Sequence, residues 1–62
     1  MSDEIGHVTS GKGHRFVVSW DRRNAYVKDA GGLAFGATWE KVGSADSAGE
    51  AMRKAEAFVY NR

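Results

Sequence analysis

The chain has no cysteine and no proline, and its longest apolar stretches run to only a few residues. Without cysteine there is no disulfide framework and no thiolate metal site to support a small fold. Without long apolar runs there is no candidate for a membrane-spanning helix, which needs about 20 such residues. The acidic start Met1-Ser2-Asp3-Glu4 leads into no apolar segment, so no secretory signal is expected and a cytoplasmic location is. Net charge is also scarce, at +1 overall.

What is present is 62 residues, 42% of them apolar, with two Trp, two Tyr and three Phe. That is enough for one compact core, so residues 1–62 are read as a single small domain. A domain of this size buries only about 60% of its unfolded surface and is held by a narrow margin. Eight glycines, roughly twice average usage, fall mostly between the periodic segments and act as punctuation for turns.

His14 to Asp21 alternates Phe16, Val18 and Trp20 against Arg15, Val17 and Ser19, the period of a half-buried strand. Arg22-Arg23-Asn24 turns the chain, with Asn24 expected in the left-handed conformation. Residues 25–29 return, with Trp20 opposite Ala25 and Val18 opposite Val27. Ala30-Gly31-Gly32 suits a three-residue hairpin loop into a strand over about 33–41. Pairing Asp29 with Leu33 would set Phe35 beside Val27 and carry Leu33, Ala37 and Trp39 to the core face. Upstream, residues 5–10 form a further strand through Gly11-Lys12-Gly13. A three-residue loop there buries Val8 and a two-residue loop buries Ile5 and His7; the first is preferred.

The last third changes period. Ala48, Ala51, Met52, Ala55, Phe58 and Val59 recur at three- and four-residue steps, one apolar stripe on a helix over about 47–61. Ser47 and Glu50 make a capping box, Asp46 adds negative charge at the helix start, and Glu50 and Lys54 are spaced to pair. The expected fold is α+β: an antiparallel three- or four-stranded meander packed on one face by a single C-terminal helix.

One helix leaves the other sheet face open. The register above assigns to it Arg15, Val17, Ser19, Tyr26 and Lys28, then Ala34, Gly36, Thr38 and Glu40. With Val8 buried, Ile5, His7 and Thr9 join them. Charge is uneven beneath the near-neutral total. Residues 12–28 carry +4, from Lys12, Arg15, Arg22, Arg23 and Lys28 against Asp21, while residues 1–11 carry −2. A basic hairpin beside an accessible Tyr26 suits a phosphate backbone or serves as an anchor for a protein partner.

Catalytic chemistry has little to work with. His7 and His14 are the only imidazoles, and no metal-ligand spacing, nucleophile elbow or phosphate loop occurs. A chain this short also has little room for a concave pocket, so neither an enzyme nor a cofactor or metal is expected.

The stretch Val42-Gly43-Ser44-Ala45-Asp46-Ser47-Ala48-Gly49-Glu50-Ala51-Met52-Arg53 resembles the strand-to-helix junction of ethylene-response-factor-type DNA-binding domains. Ala25-Tyr26-Val27-Lys28-Asp29 is similar to their central strand, and integrase arm-type domains share the sheet-plus-helix plan. The likeness covers roughly residues 14–58, with Ala45 and Ala55 where those domains carry bulky aromatics and Arg15 alone for their arginine-rich first strand. It implies DNA binding by the open sheet face in the major groove, through Arg15, Tyr26 and Lys28. The expectation is therefore a non-enzymatic DNA-binding module using Lys12, Arg15, Arg22, Arg23, Tyr26 and Lys28. The alternative is a protein-interaction module or small inhibitor docking through the open face or a sheet edge. A homodimer fits either; a membrane or a small-molecule substrate fits neither.

Overall fold

The computed structural model describes residues 3–30 and 38–62. Four strands, β1 (Asp3–Thr9), β2 (Arg15–Trp20), β3 (Asn24–Asp29) and β4 (Glu40–Ser44), precede one helix, α1 (Ala48–Val59). The strands pair antiparallel in chain order, a meander, and α1 packs across one face.

The first hairpin closes as the glycines dictate. Ser10 N–H donates to the His14 carbonyl (2.7 Å) and Gly13 N–H to the Ser10 carbonyl (3.0 Å), around the three-residue loop Gly11-Lys12-Gly13. Gly13 has φ +89°, a left-handed position open to glycine at no steric cost. The Ser10 hydroxyl accepts from the Lys12 and His14 N–H groups and holds the loop from inside. Val8 is buried, as the three-residue loop requires. Ile5 nevertheless packs against the core as well, rather than joining the open face. A bulge between Glu4 and Gly6 inserts an extra residue into β1 and turns Ile5 inward.

β2 and β3 pair as their apolar alternation demands, Val18 opposite Val27 and Trp20 opposite Ala25. The connecting loop differs from expectation. Arg22, not Asn24, takes the positive φ, at +74°, and Asn24 begins β3. The Asp21 carboxylate accepts from the Arg23 (2.9 Å) and Asn24 (2.6 Å) N–H groups. That local turn fixes the residues after Arg22, so the left-handed step falls on Arg22 itself.

The fourth strand is displaced from the 33–41 expectation. Val27 pairs with Glu40, where Phe35 was expected, and Tyr26 pairs with Lys41. The proposed Asp29–Leu33 pairing and the Gly31-Gly32 loop lie outside the described residues. The end of β4 is anchored by backbone and indole. Ala45 N–H donates to the Arg23 carbonyl (2.9 Å), and the Trp20 indole N–H donates to the Ala45 carbonyl (3.0 Å). Counting back from that anchor sets Glu40 beside Val27, and a bulge opposite Ala25 and Tyr26 lets Val42 reach the core. Trp39 is thereby taken out of the core and is 39% exposed. Glu40 faces the helix side, where it ion-pairs with Arg62.

Ala51, Ala55 and Val59 form the buried line of α1, with Met52 half-buried beside them. Ala48 and Phe58, expected on that stripe, are exposed instead. The alanines bring the helix axis close to the sheet, and the contact line is too narrow to cover the flanking positions. Ser47 caps the helix by accepting from Glu50 N–H (3.1 Å). In return the Glu50 carboxylate accepts from Asp46 N–H (2.7 Å). The Lys54 ammonium donates to the Ser44 carbonyl (2.6 Å), so both members of the expected Glu50–Lys54 pair are engaged by the helix entry. At the far end the Gly11 N–H donates to the Tyr60 carbonyl (2.8 Å). A Cβ at Gly11 would stand 2.9 Å from that oxygen, so the approach needs glycine. Among the described residues no helix is long and apolar enough to cross a membrane.

Ala55 is fully buried between helix and sheet. Ala55→Leu is expected to destabilise the fold by about 1–3 kcal/mol, because the close helix–sheet contact has no room for the added methyls. A urea unfolding midpoint that is unchanged or raised would show the contact to be looser than described.

Candidate functional site

The face opposite α1 is organised in cross-strand rows. Ala25 and Val27 point into the core, so Tyr26 and Lys28 point away from it, and their partners on β2 and β4 follow. One row reads Glu4, Ser19, Tyr26, Lys41 from β1 to β4. The next reads His7, Val17, Lys28. Thr9 and Arg15 lie beyond it toward the first hairpin.

Of the sequence-predicted residues, Arg15, Tyr26 and Lys28 share this face. Lys12 sits in the β1–β2 loop, and Arg22 and Arg23 in the β2–β3 loop, at opposite ends of β2. A six-residue strand is about 20 Å long, so the six positions make a line along the sheet and not a convergent cluster. Ala34 and Gly36, also expected here, lie outside the described residues.

Two residues on this face were not anticipated. Lys41 enters it because β4 is shifted, standing opposite Tyr26. Trp39 follows for the same reason: it directly precedes Glu40, the partner of Val27, which brings it beside Lys28. The Lys28 ammonium lies 5.0 Å from the Trp39 ring centroid, a cation–π contact. The sequence held a signal for both. Trp20 and Ala45 are apolar anchors on either side of the Asp21–Ser44 span, and fixing Ala45 to the β2–β3 loop sets the β4 register.

Ser19 lies at the centre of the first row and is almost fully buried, and its hydroxyl has no hydrogen-bond partner. Burying an unpaired hydroxyl is costly, and an alanine here would avoid that cost. Among the described residues, no group of three or more His, Cys, Asp or Glu side chains converges in a way that could hold a metal.

The basic loop at one end of the face has its own electrostatics. The Asn24 and Arg23 N–H groups, both aimed at the Asp21 carboxylate, hold its pKa below the usual value of 3.8. The loop thus carries two guanidinium groups on a backbone whose shape a carboxylate enforces.

Comparison with known protein families, curated proteins and solved structures gave no match.

Two outcomes follow for this loop. Asp21 has a folded pKa depressed below its unfolded value, so its contribution to stability is present above about pH 4. That contribution is lost as pH falls through the folded pKa. A carboxyl titration by NMR should give a midpoint below 3.8 for Asp21; a midpoint at or above it would remove the role of the turn. Arg22→Gly relieves the left-handed strain and should stabilise the fold by roughly 0.5–1 kcal/mol. A lower melting temperature for that variant would contradict the loop geometry.

Proposed function

We propose that this protein is a non-enzymatic DNA-binding module whose contact surface is the sheet face opposite α1, extended by the basic β2–β3 loop. The observation that carries this reading is the presence of cations beside aromatic side chains, half-buried Tyr26 and exposed Trp39, on one face. Lys41 stands opposite Tyr26, Lys28 lies over the Trp39 ring, Arg15 stands further along β2, and Arg22, Arg23 and Lys12 continue the positive line to both ends. A chain carrying only +1 overall gains an anion-attracting surface by this segregation. The likeness of Ala25–Asp29 and Val42–Arg53 to ethylene-response-factor-type domains supports the same assignment of Arg15, Tyr26 and Lys28.

Lysine and arginine supply the backbone contacts in this reading, and the line of about 20 Å matches about six phosphates of one strand at 3.4 Å each. Glu4 places a carboxylate at the β1 end of the central row and disfavours phosphate there, which directs the backbone toward β2, β3 and β4. Arginine or lysine loss should act through charge and leave the fold intact, because these side chains stand outside the core.

A second reading, a protein-interaction module, draws on the outer edge of β1. There Thr9 borders a groove against α1 lined by Arg53, Glu56 and Tyr60. It predicts a stable protein complex that forms without nucleic acid and survives Lys28→Gln.

The DNA-binding reading is tested by anisotropy titration of labelled DNA across a salt series. Affinity should fall steeply with salt, with a log–log slope of about −3 to −5 for the cations on this surface. Lys28→Gln and Lys41→Gln should each weaken binding and make the slope shallower by about 1. No binding to duplex or single strands at low salt would reject the reading.

A further inference from the structure

We infer that the DNA taken by this face is single-stranded, its unpaired bases stacking on Trp39 and Tyr26 and its phosphates lying on Lys28, Lys41 and Arg15. The inference rests on the DNA-binding reading above and narrows its ligand.

The arrangement is a checkerboard. Tyr26 stands opposite Lys41, and further along the same side of the sheet Lys28 lies over the Trp39 ring. Aromatic and cation therefore alternate both along the strands and across them. Tyr26 and Trp39 are diagonal neighbours, their backbone positions about 7–8 Å apart by sheet geometry. Stacked duplex bases repeat every 3.4 Å, and a duplex shows its grooves base edges rather than base faces. Aromatic side chains on a sheet can receive base faces only from a strand whose stack has opened.

Shape points the same way. The major groove, about 12 Å wide, admits a helix or a two-stranded ribbon. Four paired strands spaced about 4.8 Å apart span about 14 Å between their outer axes, and the helix behind them adds to the bulk. Laid flat, this sheet is too broad for the groove that the family likeness would assign to it. A single strand imposes no such limit and lies along the line from Lys12 to Arg22.

The Trp39 indole is available for stacking. It is 39% exposed, and what covers one of its faces is the Lys28 ammonium. A base arriving there displaces a flexible cation, which then meets the phosphate it brings. Trp20 differs, since its indole N–H is tied to the Ala45 carbonyl on the core side. The two tryptophans thus report separate things: Trp39 the occupancy of the face, Trp20 the integrity of the fold.

The test is a tryptophan-fluorescence titration of the full chain with a short oligothymidylate and, separately, with a mixed-sequence duplex at the same low salt. The expected result is tighter binding of oligothymidylate, with quenching that disappears in Trp39→Phe while affinity is largely kept. Trp39→Leu and Tyr26→Leu should each lose roughly five- to a hundredfold in affinity, the range for one base–aromatic stack. If Trp39→Leu does not fold, Trp39→Phe decides: quenching that persists with Trp20 as sole emitter overturns the inference. Duplex binding as tight as or tighter than that of oligothymidylate also overturns it and leaves the DNA-binding reading standing. Failure to bind either nucleic acid overturns both.

Discussion

Ala51, Ala55 and Val59 occupy the line along which α1 meets the sheet, and Val18, Ala25 and Val27 receive them without solvent between. In a chain with no cysteine this contact has no covalent support. Burial of apolar surface at about 25 cal/mol per Å² is what offsets the entropy of ordering the chain. Small side chains on the helix make the approach close, and closeness is what allows Val18 and Val27 to be sealed completely. The same narrowness leaves Phe58 and Tyr60 on the outside, and α1 packs on one sheet face alone. Core and candidate site are therefore consequences of one packing choice.

Both ends of the helix are fastened to the loops that flank the open face. At the N-terminal end, Ser47, Glu50 and Lys54 close onto residues 44–50, and Ala45 ties that junction to the Arg23 carbonyl. At the other end, the Tyr60 carbonyl meets Gly11, and Arg62 pairs with Glu40 while its guanidinium lies 4.8 Å from the Phe58 ring centroid. The loops carrying Arg22, Arg23 and Lys12 are held by backbone bonds together with the Asp21 carboxylate and the Ser10 hydroxyl. The three basic side chains are exposed.

The parts of the fold readable in the sequence were those set by local pattern. Alternation at Phe16, Val18 and Trp20 fixed the β2–β3 register, and the Gly11-Lys12-Gly13 loop fixed Val8 inward. What escaped was non-local. The two bulges, one beside Ile5 and one beside Val42, change facing by inserting a residue, and a strict period of two has no place for them. Trp39 looked like a core residue because its size and spacing matched Leu33 and Ala37. Its placement depends on a tryptophan hydrogen bond to Ala45, made between residues far apart in the chain. For the site, Arg15, Tyr26 and Lys28 were legible from alternation, whereas Lys41 and Trp39 required the displaced β4. The left-handed loop residue was misassigned because a side-chain acceptor, Asp21, outweighed the intrinsic preference of Asn24.

The bond between Gly11 N–H and the Tyr60 carbonyl joins the first hairpin to the last turn of the chain. Every strand pairing in this meander is between sequence neighbours and can close over at most the ten residues, 30–39, between β3 and β4. The Gly11–Tyr60 contact cannot, because its ends approach only after the intervening strands and helix have assembled, and loop-closure entropy rises with the length enclosed. Topology thus divides the molecule into a sheet that assembles stepwise and a clasp that depends on everything before it. The tip of the first hairpin, with Lys12 on it, closes through its own Ser10 bonds and gains its tie to the helix end only when the whole fold is complete.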